Sequence, residues 1–168
     1  MRTLYLLRHA KSSWGDPTLP DRERPLAPRG RRDAKRIAKH LAKQHIHPEL
    51  VLCSPAERTR TTLELVRPAL GAGTVRLEAV LYAASLDQLL ERIRAVPTAV
   101  ASLMLIGHNP GLQQLALALA SPSVELERLR NKFPTAALAT LTLGNTPWNQ
   151  LSEAGALLAA YVVPKQLD

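Results

Sequence analysis

The sequence predicts an α/β sandwich built on a mainly parallel sheet. Short apolar runs of strand length recur along the chain, segments of helical periodicity separate them, and turn-forming residues mark several junctions. The first run, TLYLL at residues 3–7, reads as a strand. From Pro28, PRGRRDAKRIAKHLAK sets Ala34, Ile37, Ala38, Leu41 and Ala42 three and four residues apart, the pattern of an amphipathic helix with its basic face outward. ELVLCS (49–54) is a second strand, and AERTRTTLELVRPAL (56–70) is a helix that Pro68 and Gly71 end. TVRLEAVLY (74–82) is an extended segment, and SLDQLLERIRAV (85–96) is a helix that Ser85 can cap. SLMLIGHNPG (102–111) is a buried strand running into a turn, with LQQLALALA (112–120) as the helix after it. A loop rich in Pro, Glu and Arg then leads to the strand AALATLTL (136–143). The pattern of ALLAAYVVP (156–164) suits a strand or a helix, and Val162, Val163 and Pro164 favour a short edge strand.

Composition bounds the function. The 168 residues fit one domain spanning 1–168, large enough to bury a core without disulfides or structural metal. Hydrophobic residues at 46% and charged residues at 21% lie far from the regime of disordered chains. Cys53 is the only cysteine, so neither an internal disulfide nor a zinc site with paired cysteines can form, and a reducing, cytoplasmic setting is expected. Only residues 3–7 separate Arg2 from Arg8, a stretch shorter than the ~7–15 residues of a secretory apolar region or the ~20 of a membrane span. No export signal or membrane partner is expected. The net charge of +8 implies attraction to something anionic. The densest basic run, residues 22–43, reads most simply as a solvated helix face. Aromatics at 4% are too few for a base-stacking platform, which argues against nucleic acid, and a monomer is expected.

In open α/β sheets, ligands bind beyond the carboxyl ends of the strands, so polar residues at those ends carry the functional signal. After TLYLL come Arg8 and His9; after LVLC come Ser54, Pro55 and then Arg58; after LMLI come Gly107, His108, Asn109, Pro110 and Gly111. Each alone has a plain structural reading as a strand end reaching solvent, a helix start or a Gly/Pro turn. If the strands are parallel neighbours, two arginines and two histidines meet at one sheet edge, the makings of a phosphate site. A transferring phosphoryl group spreads negative charge over three oxygens, so its catalysis is largely positioning and fixed positive charge. Arginine supplies a planar, permanently charged fork, and helix N-termini add backbone N–H groups. A neutral histidine can act as the nucleophile, and Arg8 beside His9 disfavours the imidazolium.

LLRHAKSSW, SPAERTRTT and LIGHNPG together resemble the histidine phosphatase superfamily, the phosphoglycerate mutase-like enzymes named for an Arg-His-Gly motif after the first strand. The short length and RPLAPRG (24–30) are similar to its compact branch, the SixA-type phosphohistidine phosphatases, as are LYAASLDQLL and KFPTAALATL. The resemblance implies a three-layer α/β/α sandwich and chemistry without metal or other cofactor. It makes His9 the phospho-accepting nucleophile, with Arg8, Arg58 and His108 forming the catalytic phosphate pocket and binding the substrate. Ala10 departs from the motif's glycine. Larger superfamily members carry a proton-donating carboxylate on an insertion between the second arginine and second histidine. Here the stretch from Thr59 to Gly107 leaves little room for one, and Glu78 and Asp87 are its nearest candidates. A missing acid suits a phosphoramidate such as phosphohistidine, whose imidazole leaves more readily than an alkoxide.

The resemblance therefore implies a metal-independent phosphatase acting through phospho-His9 on phosphohistidine in proteins. One alternative is a phosphatase of a small phosphate ester, such as a sugar phosphate or cofactor precursor. Another is a basic module that binds nucleic acid or phosphoprotein without catalysis. His40, His45 and His47 in and before KQHIHPE lack the carboxylate or cysteine pattern of a metal site. Cys53 reads as a small core residue, and Trp14 and Trp148 fit either the pocket rim or the core.

Overall fold

The computed structural model describes residues 1–167. Among them are six strands and five α-helices: β1 (Arg2–Arg8), α1 (Pro28–Lys43), β2 (Leu50–Cys53), α2 (Glu57–Val66), β3 (Thr74–Leu77), α3 (Leu86–Arg94), β4 (Ser102–Gly107), α4 (Gly111–Leu119), α5 (Val124–Asn131), β5 (Leu138–Gly144) and β6 (Leu157–Val162). The strands form one sheet in the order β3-β2-β4-β1-β5-β6. Pairs β3-β2, β2-β4 and β4-β1 are parallel, whereas β5 runs antiparallel to both β1 and β6.

Alternation along each strand builds the layers, because successive side chains point to opposite faces of a sheet. Leu4, Leu6, Leu52, Leu103 and Leu105 pack with Leu89 and Ile93 of α3, Leu112 and Leu115 of α4, and Leu126 and Leu129 of α5. Leu7, Val51, Cys53, Met104 and Ile106 pack on the other face, with Ala34, Ile37 and Leu41 of α1 and Leu63 and Val66 of α2. The result is a three-layer α/β/α sandwich. Proline at its first position and a basic last turn suit α1 at both ends. In α3, the Ser85 hydroxyl accepts from the Gln88 amide while the Gln88 side chain accepts from the Ser85 amide, a complete capping box.

Three segments differ from the sequence reading. The stretch after residue 120 contains a helix, α5, begun by the Ser123 hydroxyl accepting from the Leu126 amide and lined by Glu125–Arg128 and Glu127–Arg130 pairs. Its apolar face amounts to Leu126 and Leu129, too little to register as periodicity. The extended segment 74–82 stops being a strand at Leu77 and turns through a 3-10 helix over Ala79–Leu81. The strand read from residue 136 begins at Leu138, because Ala136 has a left-handed φ of 61° that no strand tolerates.

Candidate active site

Register brings the sequence's strand-end residues together. Arg8 pairs with Gly107 and Cys53 with Ile106, so β1, β4 and β2 end flush. The ladder runs one residue further on both sides: the His9 amide donates to the Gly107 carbonyl and the Ser54 amide to the Ile106 carbonyl, each at 3.0 Å. The next chain segments are also fixed. The Ala136 amide donates to the Arg8 and His9 carbonyls, and the Ala10 amide to the Thr62 hydroxyl, which in turn donates to the Arg58 carbonyl. Gly30 in the first turn of α1 lies so close to the Lys11 carbonyl that a side chain there would collide with it. Ala10 itself is fully buried against the α1 and α2 side of the core, which accommodates its methyl group.

The rings of His9 and His108 lie with centroids 5.3 Å apart, tilted 54° to each other, and Tyr82 stands edge-on to His108 at 5.5 Å. Arg8, His9, Arg58 and His108 line one open cleft of about 440 Å³ together with Asp21, Arg24 and Tyr82. His9 is 6% exposed and His108 8%. Nδ1 of His9 lies 2.7 Å from the Ala10 carbonyl, an acceptor only, so Nδ1 carries the proton and donates. Nε2 keeps the lone pair. Burial drives His9 down to about 3, with His108, Arg8 and Arg58 pushing the same way against the Ala10 bond. His108 is driven down to about 4 by burial, then by Arg58 and Arg8, with Asp21 opposing. Both rings are neutral at pH 7. Nε2 of His108 lies 2.7 Å from the Ser54 hydroxyl, which fixes the ring's orientation.

The arginines are anchored from both sides. Arg8 Nη1 donates to the Phe133 carbonyl at 3.0 Å, an acceptor it shares with Asn109. Arg58 Nη1 and Nη2 donate to the Asp21 carbonyl and carboxylate at 2.7 and 2.9 Å. Asp21 also accepts from the Tyr82 hydroxyl at 2.6 Å and from Arg24 at 3.4 Å. Tyr82 first, then Arg58 and Arg24, hold the Asp21 carboxyl below the usual carboxylate range. Arg24 also donates to the Ser12 hydroxyl and lies over the ring of Trp14, which is 72% exposed at the rim.

Glu78 and Asp87 do not reach the cleft. Glu78 is clamped by Arg92 through contacts of 2.5 and 2.9 Å, and Asp87 lies exposed in the first turn of α3. The carboxylate that does line the cleft is Asp21, on the irregular segment before α1, where periodicity offers no handle. Arg24 and Tyr82 escaped the sequence reading for the same reason. Trp148 is fully buried, its indole N–H donating to the Val100 carbonyl. Burial pushes the Cys53 thiol up to about 12, which makes it inert. No group of three or more His, Cys, Asp or Glu that could hold a metal ion occurs among the described residues. No helix among them is long and apolar enough to cross a membrane.

Residues 4–89 match the sequence model of the histidine phosphatase superfamily, branch 1. The chain belongs to that superfamily. An uncharacterized Mycobacterium tuberculosis protein, Rv1276c, is 36% identical over 166 residues, 95% of this chain and 100% of its own. Among solved structures, a chain from Agrobacterium tumefaciens assigned as the phosphohistidine phosphatase SixA is 31% identical with a TM-score of 0.83, covering 97% of this chain and 98% of its own. A second, from Nakamurella multipartitia and assigned the same way, is 29% identical with a TM-score of 0.85, covering 97% and 96%. This superfamily member is a phosphatase of the α/β/α, phosphoglycerate mutase-like fold.

Proposed function

We propose that the protein removes phosphate from phosphohistidine in proteins, with His9 as the covalent acceptor. The observation that carries this reading is the Nδ1–H bond from His9 to the Ala10 carbonyl, which leaves a neutral imidazole with its Nε2 lone pair free in a cationic cleft. In the first step, Nε2 forms a bond to phosphorus as the bond to the substrate imidazole breaks. A phosphorylated imidazole protonated on its other ring nitrogen departs as neutral imidazole, so the enzyme need not donate a proton. Asp21, ionised through Tyr82 and Arg58, fits no donor role. In the second step, water attacks phosphorus, Nε2 regains its electron pair, and the water's proton leaves with inorganic phosphate. Arg8 and Arg58 supply fixed positive charge to the phosphoryl oxygens, while His108 orients the group as a neutral partner. The relatives assigned as phosphohistidine phosphatases support the substrate class, and the openness of the cleft suits a protein.

Rapid quenching of the enzyme with a histidine-phosphorylated protein domain should trap acid-labile phosphate on His9, and His9→Ala should show neither adduct nor phosphate release. Release by His9→Ala, or phosphate on serine, would overturn the assignment. Turnover of small phosphate esters in clear preference to the protein would move the substrate class to the esters.

A further inference from the structure

A second cavity of about 310 Å³ adjoins the active site, and Thr135 lines both. It lies where α1, the end of α5 and the segment after β6 meet. Five cations, Arg29, Arg36, Arg128, Lys132 and Lys165, line it against one carboxylate, Asp33. Asp33 is buried in the side of α1, where Arg29 and Arg36 share it at 3.7 and 3.2 Å. One carboxylate therefore holds two guanidinium groups at the groove wall, and Glu125 holds Arg128, so the uncompensated charge rests on the two lysines and the shared pair of arginines. Lys132 and Lys165 are exposed and take part in no ion pair among the described residues. Arg36 also lines a further cavity with Lys39 and Lys43 on the next turns of α1. From the cleft outward, a basic track thus follows one face of that helix.

We infer that this groove is a docking site for an acidic polypeptide segment of the phosphorylated protein whose phosphate enters the cleft. The inference rests on the reading of the cleft as a protein phosphohistidine phosphatase. It gives residues 28–43 a role beyond solvation: the apolar face of α1 packs on the sheet while its Arg29–Asp33–Arg36 stripe fixes cations beside the catalytic edge. The groove favours an extended peptide over nucleic acid because it offers no open aromatic face for stacking bases. Tyr161, its one aromatic, stacks on Phe133 and lies under Arg128. Fixed charges of one sign lining a cleft raise the local concentration and on-rate of an oppositely charged partner.

The test separates docking from chemistry. A fluorescent twelve-residue glutamate-rich peptide should bind the full-length wild type and lose at least tenfold in affinity in Lys132→Glu/Lys165→Glu. The control Arg67→Glu/Arg76→Glu carries the same change in net charge on surfaces away from the groove, and should bind as wild type does. With a histidine-phosphorylated protein domain bearing an acidic surface, the groove variant should raise KM about tenfold; with free phosphohistidine, its kcat and KM should match wild type. Absence of peptide binding by wild type, equal loss in both charge-reversed variants, or tighter binding of a single-stranded oligonucleotide of equal charge would overturn the docking site. Failure of wild type to turn over either phosphohistidine substrate would count against the catalytic reading alone, and peptide binding would still decide the groove.

Discussion

The cleft floor and the neighbouring groove hold the same kinds of side chain in opposite physical states. On the floor, Arg58, His9 and His108 are each less than a tenth exposed and the arginines are anchored by carbonyls or Asp21. In the groove, Lys132, Lys165 and Arg29 are exposed, and what order there is comes from Asp33 beneath Arg29 and Arg36 and from Glu125 beside Arg128. Burial makes fixed charge act strongly over a few ångströms, since the local dielectric is low and no reorganisation is needed. Exposure leaves charge that is screened within about 8 Å at physiological salt, useful for attracting a partner and poor for chemistry. On the reading proposed above, one region stabilises a transition state and the other gathers substrate.

The largest expected effect breaks the floor. Arg8→Ala should lower kcat/KM on free phosphohistidine by about 10²–10³-fold, the loss typical of removing one preorganised donor to developing charge. Arg8→Lys should recover only part of it, because an ammonium cannot present two parallel donors to a phosphoryl group. If Arg8→Ala costs no more than a groove charge reversal on this small substrate, the division between the two regions fails.

A smaller effect follows from the depressed histidines. His9 and His108 are held neutral down to about 3 and 4, whereas an unfolded histidine titrates near 6.5. Between these values the unfolded chain binds more protons than the folded one, so stability is complete above about 6.5 and declines as pH falls toward 4. Loss on the order of a few kcal/mol is expected over that window, measured as urea midpoints at pH 7 and 4. His9→Ala should flatten the decline by removing its more depressed group. The groove has no histidine among its lining residues, so its charge variants should leave the slope unchanged.

Most of the floor was legible in the sequence because strand ends are where apolar runs stop. TLYLL stops just before Arg8 and LMLI two residues before His108, both of which line the cleft, while LVLC stops just before Ser54, whose hydroxyl holds His108, and parallel pairing makes those endings equivalent. The long helix α1 was legible to the residue, since Ala34, Ile37 and Leu41 at helical spacing are buried on one face with Ala38 half-buried beside them, although Ala42 is exposed. Asp21 was not, because it lies in a 3-10 turn with no buried residue, and only the folded chain brings it to Arg58, 37 positions away. Helix α5 was hidden because its polar pairs and Ser123 cap stabilise it where hydrophobic periodicity is nearly absent. The groove was half visible, since Arg29 and Arg36 lie in the basic run 22–43, but Arg128, Lys132 and Lys165 reach it through tertiary packing.

The smallest effect sharpens the contrast between carboxylates. Glu78 and Asp21 are both paired with arginine, and the pairs differ in what the arginine can do next. Arg92 holds Glu78 through Nε and Nη2, tying the residue after β3 to α3 with neither partner in the cleft. Arg58 holds Asp21 at the cleft wall, where on the proposed reading an incoming phosphate meets the same guanidinium. Glu78→Gln should therefore leave kcat/KM within about twofold of wild type while costing on the order of 1 kcal/mol of stability, as a partly buried pair does when broken. A tenfold or larger fall in kcat at unchanged stability would make Glu78 a proton donor reaching the cleft in the bound state, and would move the leaving-group chemistry from the substrate's own imidazole to the enzyme.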